Sequence, residues 1–331
     1  MSSSARSDDF DASFASQIRD VMQLVSSQYF MPISVKQLIA GCARELSLVG
    51  TVHSNASPEE ISDLRDLLKD LRAANPALFN DAKMRDLCLH GMLGSLDEQS
   101  AYLDEAGFDK LRKDTVSSAT SSVRSEQIEG RYLYVKVAQF QEKTVEELAG
   151  ALELARDLAA SPAAIILDLR NSPGGILTST IGVAAAFLPH GATVLLTKGR
   201  MADANQTMFA SPDYYALRLG SDPFRLLPPK VKQLPMAVLV NNKTNSGAEA
   251  VAGALQDNRR AIVIGEQTPG IGKIQTFRMI DAKTAIKLTT ARMFSPNGRG
   301  LDANGITPDI SANSDAALAA ALEHFRKSIP Y

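Results

Sequence analysis

The sequence is short of nearly everything that would announce a nucleic acid, a metal or a membrane as partner. Its 331 residues carry 35 basic against 37 acidic side chains, a net charge of -2. No excess of either sign draws it to nucleic acid or to an anionic membrane. The four histidines, His53, His90, His190 and His324, are scattered without metal-ligand spacing. No metal or other cofactor is expected. The two cysteines, Cys42 and Cys88, each lie in an apolar, helix-like stretch, and two buried thiols are the reading preferred over a disulfide or a metal site. No run approaches the roughly 18 apolar residues that a membrane span needs. The N-terminus, Met1-Ser2-Ser3-Ser4-Ala5-Arg6, lacks the apolar core of a signal peptide.

What is present is an ordinary globular balance, 45% hydrophobic and 22% charged residues, on a chain long enough for a large core. Residues 1–114 read as a helical region. Phe14, Ile18, Val21, Met22 and Val25 recur at helical spacing, and an apolar-rich stretch follows from Ile33 to Leu48. Ser57-Pro58-Glu59-Glu60 has the chemistry of a helix start, and another helix is predicted over 81–93. Residues 115–127, rich in serine and threonine, read as a linker.

Residues 128–331 have a different texture. Tyr132 to Phe140 alternates as a strand does, and Thr144 to Leu158 has helical spacing. Short apolar runs at 163–169, 193–197, 236–240 and 261–265 predict strands, the first buried on both faces. Helices are predicted through Leu188, over 246–256 and over 315–326. Strand and helix in alternation imply a parallel sheet covered by helices. Ile274 to Met279 and Thr284 to Thr290 read as an antiparallel pair.

Three loops carry chemistry. In Asn242-Lys243-Thr244-Asn245-Ser246-Gly247-Ala248-Glu249, a serine stands at a helix N-terminus, where the N–H of Gly247 could stabilise an oxyanion. The competing reading is a capping box formed by Ser246 and Glu249. In Asp168-Leu169-Arg170-Asn171-Ser172-Pro173-Gly174-Gly175, the two glycines could supply a second oxyanion donor or simply make a tight connection. The third loop, Gly265-Glu266-Gln267-Thr268-Pro269-Gly270-Ile271-Gly272-Lys273-Ile274-Gln275, opens a strand where a phosphate loop would open a helix.

Taken in this order, the three loops resemble the C-terminal processing (tail-specific) serine peptidases. Leu96-Asp97-Glu98-Gln99-Ser100-Ala101-Tyr102-Leu103, Ala291-Arg292-Met293-Phe294-Ser295-Pro296-Asn297-Gly298-Arg299 and Gly305-Ile306-Thr307-Pro308-Asp309-Ile310 resemble further elements of that family. The likeness covers about two thirds of the chain, and residues 50–83 look like an insertion. The resemblance implies an α/β fold, a tail-specific-protease core of ClpP/crotonase-like βα units preceded by the helical region. It sets the nucleophile at Ser246, oxyanion donors at Gly247, Gly174 and Gly175, a supporting glutamine at Gln275 and a supporting carboxylate at Asp257.

Two departures follow. The family works through a serine–lysine dyad, and its lysine position falls on Ile271, which cannot accept a proton. Lys273 lies on the same face of an extended segment, about 6.6 Å further along, and Lys243 is a weaker candidate base. No PDZ domain occupies the place between Leu103 and Tyr132 where family members carry one. The resemblance therefore implies a pseudopeptidase that binds a peptide or a partner protein without cutting it. The alternatives are an active serine endopeptidase with Lys273 as relocated base and, more distantly, acyl-CoA chemistry on a related fold. It further implies a periplasmic or extracytoplasmic location and a homodimer through the N-terminal helices.

Overall fold

The computed structural model describes residues 4–49, 60–115, 121–154, 162–217, 219–302 and 304–329. In chain order the helices are α1 (Ser4–Gln28), α2 (Val35–Val49), α3 (Ile61–Ala74), α4 (Asp81–Gly94), α5 (Glu105–Thr115), α6 (Thr144–Leu154), α7 (Leu177–Ala185), α8 (Pro212–Tyr215), α9 (Gly247–Asp257) and α10 (Ala317–Ser328). The strands are β1 (Ala101–Leu103), β2 (Val123–Ile128), β3 (Tyr132–Val137), β4 (Ala164–Asp168), β5 (Thr193–Gly199), β6 (Gln206–Phe209), β7 (Met236–Val240), β8 (Ile262–Gly265), β9 (Lys273–Met279), β10 (Ala285–Phe294) and β11 (Ile310–Ser311). They form two compact units. One comprises Met1–Lys110, Gly199–Ala204 and Ile274–Ala291; the other comprises Leu111–Lys198, Asn205–Lys273 and Arg292–Tyr331.

The first unit is built on apolar helix faces. Ile18, Val21, Met22 and Val25 of α1 are buried, as are Leu38, Ile39 and Leu46 of α2 and Leu89 and Met92 of α4. Each such side chain contributes about 1.5–3 kcal/mol relative to exposure. The Phe14 side chain lies outside the described residues. The Asn80 side chain caps α4 by accepting the Lys83 N–H at 3.0 Å. At α3 the cap is Glu60, whose N–H donates to Asp63 at 3.1 Å, while Ser57, Pro58 and Glu59 of the expected helix start lie outside the described residues.

The cysteines correct the two-thiol reading. Cys42 and Cys88 form a disulfide, their Cα atoms 4.1 Å apart. The cause is a close crossing of α2 and α4, where a Cβ on Gly41 would lie 2.4 Å from the Gly91 carbonyl oxygen. Two adjacent glycine faces remove the side chains that would hold the helices apart, and the neighbouring cysteines meet. Local sequence shows two apolar stretches but not which of them touch.

This unit is not helical throughout. Strand β1 runs antiparallel to β10, with Ala101 opposite Lys287 and Leu103 opposite Ala285, and β9 also pairs with β10. Three residues are too few for a period-2 signal, so β1 was invisible in the pattern.

The second unit is organised on a six-stranded sheet of order β11-β8-β7-β4-β3-β2. All neighbours are parallel except β3 and β2. Ile166, Ala237, Leu239 and Ile264 pack on one face with Ala317, Ala321 and Phe325 of α10. The alternate residues Ile165, Leu167, Val238 and Val240 are also fully buried, the mark of a sheet covered on both sides. Strand β2 corrects the linker reading. Of residues 115–127, those at 116–120 lie outside the described residues, but Val123 onward forms an edge strand antiparallel to β3. Its Arg124, Ser125, Glu126 and Gln127 are exposed, and a polar edge strand looks like loop in sequence.

Candidate active site

The topology of the second unit delivers the three loops to one place. β4, β7 and β8 are parallel neighbours, so residues 169–176, 241–246 and 266–272 all leave the same edge of the sheet. The carboxyl ends of such strands are where α/β folds place their ligands.

Asp168 fixes the first of these loops from below. It is fully buried and accepts from the Arg170 backbone N–H at 2.9 Å, Arg170 Nε at 3.0 Å, Arg170 Nη2 at 2.7 Å and Tyr134 Oη at 2.5 Å. Lys136 Nζ stands 3.5 Å away. Burial pushes the carboxyl up, but Arg170, Tyr134 and Lys136 outweigh it and hold it below the ordinary carboxylate range. Burial and the same carboxylate push the Tyr134 hydroxyl well up.

Loops 169–176 and 241–246 are then zipped together. Thr244 Oγ1 donates to the Leu169 carbonyl at 2.9 Å, the Asn171 N–H to Asn241 Oδ1 at 2.9 Å, and the Asn245 N–H to the Ser172 carbonyl at 2.8 Å. Gly174 comes to rest directly against Ser246. A Cβ there would lie 2.7 Å from the Gly247 nitrogen and 2.9 Å from Ser246 Cβ, and the backbone has φ +83°. Only glycine fits, because a side chain would fill the space beside the serine. Gly175 is exposed, in backbone register with Phe140. Among the described residues, no backbone hydrogen bond engages the N–H of Gly174, Gly175 or Gly247. Gly174 and the Gly247 nitrogen thus lie beside a half-buried serine, a setting in which backbone N–H groups can stabilise an oxyanion.

Ser246 is the residue before α9, and its backbone has φ 51° and ψ -117°. An ordinary N-cap is extended, so capping does not account for this conformation, which costs on the order of 1–3 kcal/mol. Sharp strand-to-helix turns of this kind present a nucleophilic serine in other hydrolase folds. The capping box read from the sequence is present: the Ser246 hydroxyl faces the Glu249 N–H, short of a full hydrogen bond, and the Glu249 carboxylate reaches back to the Ser246 N–H.

Glu249 does far more than complete a capping box. Its fully buried carboxylate accepts the Ser246 N–H at 3.0 Å, Thr268 Oγ1 at 2.5 Å, the Gly270 N–H at 2.8 Å and the Ile271 N–H at 2.8 Å. One oxygen, Oε2, takes both Ser246 and Ile271, which sets their backbones side by side. Sequence reasoning treated Glu249 as a cap. The only signal of its larger role was an acid facing a glycine-rich loop, which local spacing cannot join.

The remaining predicted residues are distributed unevenly. Lys273 is half-buried at the start of β9, and Lys243 is exposed. Gln275, in the first unit, donates its amide to Gln99 Oε1, a partner that sequence reasoning missed. Asp257 sits at the far end of α9 from Ser246, roughly 15 Å along the helix. There it accepts the Asn297 N–H at 3.0 Å and faces Arg299 at 3.6 Å, bracing the 295–299 turn.

Comparison with known proteins gives the site its context. Residues 131–312 match the model of Peptidase family S41. A carboxy-terminal-processing protease of Bartonella bacilliformis is 36% identical over 185 residues, 55% of this chain and 39% of that protein. A chloroplastic carboxyl-terminal-processing peptidase of Arabidopsis thaliana is 30% identical over 203 residues, 60% of this chain and 38% of that one. The matched stretch thus spans less than two fifths of these curated relatives. Among solved structures, a photosystem II D1 C-terminal processing protease superposes with TM-score 0.62 at 16% identity, over 92% of this chain and 94% of that chain. A lipoprotein of Streptococcus agalactiae gives 0.61 at 18% identity, over 91% and 99%. These likenesses show a shared fold, the α/β core of C-terminal processing proteases preceded by helices. With more than half of the chain matched to its model, the chain belongs to Peptidase family S41.

Proposed function

We propose that this S41 protein holds a peptide or a partner-protein segment at the Ser246 pocket without cutting it. The observation that carries this reading is residue 271. Motif matching sets Ile271 at the lysine position, its backbone lies beside Ser246 on the Glu249 carboxylate, and isoleucine takes no proton. Neither neighbouring group substitutes for a base. The Glu249 oxygens already receive four donors. A lysine base must be held neutral by burial, whereas Lys273 is only half-buried. Without the base, serine attack loses about 10² to 10⁴ in rate. The test is fluorescence anisotropy with labelled peptides, followed by mass spectrometry of the recovered peptide. Saturable binding with the peptide intact is expected; cleavage, or no binding to any peptide, contradicts the reading.

A second reading, an active endopeptidase with Lys273 as base, is favoured by the strained Ser246 backbone and the free donors of Gly174, Gly175 and Gly247. It stands as the alternative that proteolysis assays decide.

We further place the protein outside the cytoplasm. A disulfide between Cys42 and Cys88 suits an oxidising compartment. A stretch at 115–127 in place of a PDZ domain removes the module that would capture a substrate's C-terminal carboxylate on a sheet edge. Self-association through the helices of the first unit is expected, where Met31, Val35, Leu48 and Leu78 are exposed. Light scattering should give twice the chain mass of 35.5 kDa, and a monomer at high concentration contradicts this.

A further inference from the structure

A serine peptidase asks two things of its base. It takes the proton of the attacking hydroxyl, and it returns a proton to the departing amine, which otherwise cannot leave. Ile271 does neither. The two losses are not equal for every acyl donor. When the leaving group departs as a stable anion, as from an aryl ester or a thioester, the second service is not needed. The oxyanion pocket then acts alone, and one well-placed donor is worth about 10² to 10³ in rate.

Release of an acyl group from Ser246 is the reverse situation. Water must lose a proton to attack, and the serine oxygen must gain one to leave. Both services are needed, and isoleucine at position 271 supplies neither.

We propose that Ser246 is a single-turnover acyl acceptor for activated esters and thioesters, stopping at a stable acyl-serine. This rests on the reading that the nucleophile and oxyanion donors persist without a base. A lone pair of Ser246 Oγ bonds to the carbonyl carbon, and the C=O π pair moves to oxygen beside the N–H groups of Gly247 and Gly174. The hydroxyl proton passes to bulk water. The oxyanion then collapses and expels the leaving group with the bonding pair, giving an acyl-serine, the leaving-group anion and one proton. Ser246 is held at φ 51° and ψ -117°, Gly174 is packed 2.7 Å (as its would-be Cβ) from the Gly247 nitrogen, and these N–H groups are free of backbone partners.

The experiment uses the full chain with p-nitrophenyl acetate. Expected is a burst of about one p-nitrophenolate per chain, one acetyl group mapped to Ser246 by peptide mass spectrometry, and later release slower than the burst by about 10² or more, the smallest worth of base assistance. Ser246→Ala, with its thermal transition checked against wild type, should lose the burst and the acetyl group at position 246. Absence of acetyl-Ser246, or a burst that survives in Ser246→Ala, overturns the proposal and leaves peptide binding without cleavage standing. Steady turnover at the burst rate that Ser246→Ala abolishes overturns both, because a base must then be acting.

Discussion

Asp168 shows what a single residue does for this site. It lies at the end of β4 with no exposure and carries Arg170, Tyr134 and Lys136, so the loop that delivers Gly174 is anchored on one carboxylate. Its folded-state pKa is depressed, so the stability it contributes is present above the unfolded value of roughly 3.9. That stability is lost as pH falls through the folded pKa. Asp168→Asn should cost about 1.5–3 kcal/mol at neutral pH, because the half-buried Arg170 and the Tyr134 hydroxyl lose their charged acceptor. Urea titrations of both proteins should show the gap closing in strong acid. A gap that is constant from neutral to acid pH contradicts the account. At this scale the sequence was partly legible. Ser246, Gly174 and Ile271 were marked by their motif; Gly174 packs against Ser246, and the backbone N–H groups of Ser246 and Ile271 share one Glu249 oxygen. The long-range bonds of Glu249 and Gln99 were not legible, because those partners lie across 19 to 176 positions of chain and leave no periodic trace.

Elements were more legible than contacts between them. β7 falls on the apolar run at 236–240, and α9 and α10 lie within two residues of their predicted spans, since buried parallel strands and amphipathic helices each impose a period on the sequence. β1 and β2 escaped, one for its three residues and the other for its polar face. The disulfide escaped for a different reason, since the α2–α4 crossing depends on Gly41 meeting Gly91. That crossing carries a prediction. Cys42→Ser with Cys88→Ser should lower stability by about 2–4 kcal/mol by freeing the loop between them, and a reductant should lower the melting temperature of wild type but not of the double variant. An unchanged melting temperature on reduction means that the bond is absent in solution.

On the scale of the whole molecule, membership of Peptidase family S41 settles the scaffold and not the activity. Among the described residues no helix is long and apolar enough to cross a membrane. The chain carries Ser246, Gly247, Gly174 and Gly175 in its loops while residue 271 is isoleucine. What we propose for it is binding without hydrolysis. The most direct measurement is casein digestion by wild type, Ser246→Ala and Lys273→Ala side by side. The account predicts no cleavage by wild type above the Ser246→Ala background. Cleavage by wild type that both substitutions abolish would contradict it and make Lys273 the base.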